Sequence, residues 1–129
     1  RCVPGRRRRR PVRRRSLRHR IVSPDDLITG LRQTLIEISQ RRPVYVDQWN
    51  ESRVLQLAVM KLWIDAGNYA EMYRKAMGVP VATDPWTDLV AYRGVLAHAL
   101  PGEVNLDRVY YESGEVQRIL DEVNASAQH

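Results

Sequence analysis

Apolar side chains recur along this chain at helical intervals. Leu27, Leu31, Leu35 and Ile38 follow one another at spacings of four, four and three, which puts them on one helix face. Ser23-Pro24-Asp25-Asp26 opens that stripe with an N-cap serine, a proline at the first helical position and acids facing the positive end of the helix dipole. Gln40-Arg41-Arg42-Pro43 closes it, because proline disfavours helix in the residue before it. Val44-Tyr45-Val46 reads as a loop leading to Asp47, a candidate cap. A long helix is expected from Gln48 or Glu51 to Met77, with Val54, Leu57, Ala58, Lys61, Leu62, Ile64 and Ala66 at its inner positions. Gly67, in its middle, costs about 1 kcal/mol relative to Ala and is the kind of residue that lets a neighbouring helix approach closely. Gly78 is the expected stop, with Pro80 beyond it.

Asp84-Pro85 reads as cap and first position of a third helix, with Trp86, Leu89, Val90, Val95 and Leu96 on its core side and Pro101-Gly102 at its end. Asn105 is a candidate cap for a fourth segment containing Leu106, Val109, Tyr110, Val116, Ile119, Leu120 and Val123, which Ser113-Gly114 divides into two short helices. No strand pattern and no internal repeat is present. The expected fold is all-α, an up-and-down bundle of four or five helices.

Composition changes this picture at one end. The net charge of +6 comes from residues 1–20, which hold 11 arginines and no acid. Residues 21–129 carry 10 Lys and Arg against 15 Asp and Glu, a net charge of −5. Segment 1–20 has too little apolar surface to fold by burial and is expected to be disordered. It reads as a non-native extension, of the composition that GC-rich DNA upstream of a true start would encode, ahead of an electrostatic arm for RNA, DNA or anionic lipid. The domain then runs over 21–129. With Cys2 the only cysteine, an internal disulfide and a one-chain cysteine metal site are excluded. No apolar run approaches membrane-spanning length, and a reduced, cytoplasmic compartment is expected.

Candidate chemistry concentrates at Arg93 and His98, near the end of the third helix. Arginine is a permanent cation suited to phosphate, and histidine moves protons at neutral pH. One of each beside a scissile phosphate suffices for RNA cleavage: a base deprotonates the ribose 2′-OH, and a guanidinium stabilises the charge of the phosphorane. Five residues on a regular helix separate two side chains by about 140°. Convergence therefore needs the helix to unwind before Pro101, or two chains to meet across a two-fold axis. The plain alternative is an Arg93 that pairs with Asp88 or caps helix carbonyls, and a His98 that simply ends a helix.

Asp65, Glu71, Asp84 and Asp88 lack metal-ligand spacing and read as caps and solvated faces. His19 and His129 are unlikely ligands by position, and no phosphate loop or cofactor fingerprint is present. Trp49, Trp63, Trp86, Tyr69 and Tyr73 are expected in the core or at an interface rather than stacked on bases.

The block Pro85-Trp86-Thr87-Asp88-Leu89-Val90-Ala91-Tyr92-Arg93-Gly94-Val95-Leu96-Ala97-His98 resembles the HEPN superfamily. Within it, the block is similar to the HepT-like (DUF86) ribonuclease toxins of toxin–antitoxin pairs. Ala58 to Ala70, with Gly67, looks like that family's long helix, and Val104-Asn105-Leu106-Asp107-Arg108-Val109-Tyr110 like the start of its next one. The resemblance covers about Pro24 to Val123. It implies a HEPN-like helical homodimer that cleaves RNA without metal or other cofactor. His98 would act in acid/base chemistry and Arg93 would bind phosphate, with the two motifs facing each other in a dimer cleft. The groove would contain Arg93, His98 and Lys61 or Arg108. The partner implied is a nucleotidyltransferase (MNT-type) antitoxin. A non-catalytic module that binds a nucleotide or such a partner is the alternative.

Two positions depart from the pattern: the usual Asn after the arginine is Gly94, and the tyrosine of His-x-Tyr is Leu100. In some members that tyrosine receives AMP, a modification Leu100 cannot accept. Tyr92, Tyr110 and Tyr111 are the candidate substitutes.

Overall fold

A computed structural model describes residues 22–80 and 82–127. The arginine-rich segment 1–20, and the expectations attached to it, lie outside the described residues. So do Val81 and His129. Among the described residues the chain is all-helical, with no strand. The helices are α1 (Pro24–Arg41), α2 (Val46–Glu51), α3 (Arg53–Met77), α4 (Trp86–His98), α5 (Leu106–Ser113) and α6 (Val116–Ala127), with a 3-10 turn at Pro101–Glu103. None is long and apolar enough to cross a membrane.

Local chemistry sets most of the ends. Ser23 Oγ accepts from the Asp26 N–H at 3.1 Å, and Asn105 Oδ1 from the Arg108 N–H at 3.1 Å. Gly78 ends α3 in the left-handed region, at φ 69°, and its N–H returns to the carbonyls of the last turn. Two ends differ from the sequence reading. Asp47 caps nothing; it lies in the first turn of α2, which starts at Val46 after an extended Tyr45. The expected single helix is interrupted at Ser52, which leaves the helical region and caps α3 by accepting from the Leu55 N–H at 3.1 Å. Likewise, Asp84 does not cap α4. The turn through Asp84-Pro85 places Pro85 before the helix, with no side-chain cap bond.

The core is built on α3, which packs along α1 on one side and α4 on another, while α6 leans on α1. Leu27, Leu31, Leu35 and Ile38 are buried as expected, joined by Ile28. On α3 the inward face is Val59, Met60, Trp63, Ala66, Gly67, Ala70 and Tyr73. This corrects the sequence reading, since Val54 is 80% exposed, Leu57 48% exposed, and Lys61 faces water. Helix α3 is apolar on more than one side, and the face with the small residues is the one its neighbours can approach. Val95 of α4, expected inside, is 59% exposed.

Three tryptophans, one each on α2, α3 and α4, join these helices to the last two. Trp49 donates its indole N–H to the Leu106 carbonyl, Trp63 to Ser113 Oγ and Trp86 to Ser126 Oγ, each at 3.0 Å. All three rings are fully buried. They are core residues, and the polar edge that each carries fixes where α5 and α6 sit.

Candidate functional site around Arg93 and His98

Arg93 is held where α4 crosses α3. A Cβ added to Gly67 would collide with the Cβ of Arg93 and lie 2.9 Å from the Leu89 carbonyl oxygen. Glycine is thus required at this crossing, and it lets the stem of Arg93 rest on the α3 backbone. The next residue, Asn68, then meets the guanidinium, with Arg93 Nη1 donating to Asn68 Oδ1 at 3.2 Å. Arg93 is half-buried along its stem and keeps further N–H groups for an outside acceptor.

The surroundings are cationic. Arg74 and Lys75 lie about two turns further along α3, each paired with Glu71, at 2.8 and 3.8 Å. The hydrogen bond from Arg74 holds the Glu71 carboxyl below its ordinary range despite partial desolvation, and the charges of Arg74, Lys75 and Arg93 act in the same direction. Three cations therefore surround one carboxylate. Lys61, two turns before Asn68, is paired with Asp65 at 2.6 Å. Arg108 is placed elsewhere. It belongs to α5, beside Glu112, and lines a cleft on another face of α4.

His98 is the last residue of α4 and is exposed. Its side chain makes no hydrogen bond or ion pair among the described residues. The helix stays regular through His98, with Ala99 N–H still bonded to the Val95 carbonyl at 3.1 Å, and turns extended only at Ala99. Unwinding before His98 is therefore not the route to convergence, and one chain leaves Arg93 and His98 on different sides of α4.

The other residues singled out in sequence have local roles. Asp88 lies on the rim of the α4 cleft. Gly94 is open, with nothing within 4 Å of an added Cβ. Among the three tyrosines that could replace the missing one, Tyr92 has a buried hydroxyl and Tyr110 donates its own to the Pro43 and Val44 carbonyls, both at 2.9 Å. Tyr111 alone of the three is open to solvent, at 67% exposure. Among the described residues no group of three or more His, Cys, Asp or Glu is placed to hold a metal ion.

Asn68 and Arg74 were not singled out in sequence. The signal for Asn68 was its position directly after the one mid-helix glycine of α3. Comparison with protein-family models, with curated proteins and with solved structures finds no match.

Proposed function

We propose that this protein is a metal-independent endoribonuclease of the HEPN type, the toxin of a toxin–antitoxin pair whose partner is a nucleotidyltransferase antitoxin. It works as a homodimer. Arg93 binds the scissile phosphate and His98 carries protons to and from the ribose 2′-OH and the leaving 5′-oxygen. The observation that carries this reading is the seating of Arg93. An arginine whose stem is seated on a glycine and whose guanidinium is held by Asn68 is an oriented cation with donors left over, and such a group binds phosphate more strongly than a free surface arginine.

The divergence of Arg93 and His98 on a regular helix favours a site shared between two chains. Met72, about one turn beyond Asn68 on the same side of α3, is exposed and offers a second chain an apolar contact.

The test is cleavage of total RNA in the presence of a chelator. Arg93→Ala and His98→Ala should each abolish cleavage while leaving the fold and the dimer intact. Mixing the two inactive variants should restore part of the activity, because a mixed dimer holds one intact shared site. Cleavage that survives both substitutions, or a strictly monomeric protein that cleaves, removes this mechanism.

Gly94 and Leu100 favour a second reading, a HEPN module that binds a nucleotide or the nucleotidyltransferase without cleaving RNA. Under that reading the chelated assay shows no cleavage, and Arg93→Ala weakens nucleotide or partner binding instead.

A further inference from the structure

The bond between Arg93 and Asn68 fixes the direction of the amide as well as that of the guanidinium. A guanidinium only donates, so the atom that Asn68 turns to Arg93 Nη1, 3.2 Å away, is its carbonyl oxygen Oδ1. The two N–H groups of Nδ2 are left on the other branch of the same amide. Among the described residues nothing accepts from them. Asn68 is exposed, so these donors stand open to solvent beside the guanidinium.

The two acids that could take them are engaged elsewhere. Asp65 and Glu71 stand three residues before and three after Asn68, close enough on a helix to meet its side chain. Asp65 Oδ1 instead pairs with Lys61 at 2.6 Å, one turn back. Glu71 pairs with Arg74 at 2.8 Å and lies 3.8 Å from Lys75, one turn on. Each carboxylate thus pairs away from Asn68, in opposite directions along α3, and a cation offsets its charge. The stretch between them holds donors on Asn68 and Arg93 and no protein acceptor. Arg93 is among the charges that keep the Glu71 carboxyl below its ordinary range, so its field extends over this stretch.

These donors call for an anion with more than two oxygens. A carboxylate is filled by the guanidinium fork alone, whereas a tetrahedral phosphate has a further oxygen to offer the amide. Gly94, next to Arg93 on α4, has no side chain to contribute, so the second donor comes from α3.

We infer that Asn68 is itself a phosphate-binding residue. Its Nδ2 amide and the free N–H groups of Arg93 close on one phosphate group from the two sides of the α3–α4 crossing. The inference deepens the reading of Arg93 as the phosphate-binding arginine and rests on it.

NMR titration of the ¹⁵N-labelled full chain with inorganic phosphate, at ionic strength held constant with chloride, tests the two residues separately. The Asn68 Nδ2 and Arg93 Nε signals should shift together with one dissociation constant. Asn68→Ala should raise the constant read at Arg93 roughly three- to ten-fold. In Arg93→Ala the Asn68 signal should still respond to phosphate, at a higher constant, because its contact is direct. A residue that merely positions Arg93 would fall silent there. The inference alone is overturned if Arg93 responds while Asn68 does not, if Asn68→Ala leaves the constant at Arg93 unchanged, or if Asn68 is silent in Arg93→Ala. If neither signal responds to phosphate, or chloride shifts them equally, the phosphate reading of Arg93 falls and the inference with it. Both signals responding in a protein that cleaves no RNA removes the cleavage reading and leaves the clamp supported.

Discussion

Gly67 and Arg93 occupy each other's space: the atom that Gly67 lacks would fall on the Cβ of Arg93. Helix α4 can carry its arginine across α3 only because residue 67 has no side chain. The same approach brings Asn68 to the guanidinium. Fold and candidate site thus depend on one missing methyl group.

Gly67→Ala should therefore destabilise the protein, although alanine is the better helix former. The intrinsic gain is about 1 kcal/mol. Forcing α4 away from the Leu89 carbonyl and the stem of Arg93 costs about 1–3 kcal/mol, as overpacking does elsewhere. Urea unfolding should show a lower midpoint, and RNA cleavage should fall as Arg93 leaves Asn68.

Gly94→Ala should do the opposite. It lies next to Arg93 on α4, and an added Cβ meets nothing within 4 Å. Only the propensity gain remains, so stability should rise by up to about 1 kcal/mol. Thermal unfolding of the two alanine variants side by side separates a packing glycine from a merely flexible one.

Ser113→Ala should cost about 1–3 kcal/mol, because it strands the buried N–H of Trp63. Ser113 Oγ is the acceptor of that indole and donates in turn to the Val109 carbonyl at 2.7 Å. Denaturant titration followed by tryptophan fluorescence checks the loss.

Acid should weaken the arrangement around Arg93. The folded-state pKa of Glu71 lies below its ordinary value of 4.5. Its contribution is then complete above 4.5 and is lost as pH falls through the lowered folded value. Replacing Glu71 by Gln should flatten the acid limb of a stability–pH curve and leave the limb above neutrality unchanged.

Alkali should act through Tyr92. Its folded-state pKa is raised above the ordinary 10.0, so the unfolded chain loses this proton first and stability falls as pH climbs past that value. In a spectrophotometric titration of the folded protein, Tyr92 should ionise above the ordinary tyrosine range. Tyr92→Phe should remove that highest step and reduce the alkaline loss of stability.

Some of this was legible along the chain because it is local. The caps at Ser23 and Asn105, the stop at Gly78 and the break at Ser113-Gly114 each depend on residues within a few positions of one another. Backbone sterics and nearby side-chain oxygens are enough to settle them. The buried stripe of α1 was equally plain, since one side of that helix is apolar and the other is not. The break at Ser52 was missed because residues on both sides of it are helical. A serine that caps one helix looks in sequence like a serine within a longer one.

The sequence by itself determined that the chain is helical, where most helices end, and that Gly67 is a point where a neighbouring helix approaches closely. Only the tertiary structure decided which side of α3 faces inward, because Val54 and Leu57 are as apolar as Val59 and Met60. What separates them is the line of Ala66, Gly67 and Ala70, along which neighbouring helices can approach. Tertiary structure alone also set Asn68 against Arg93 and opened the cleft between α4 and the last two helices. These relations join residues far apart in the chain, whose proximity is fixed by helix packing rather than by any local preference.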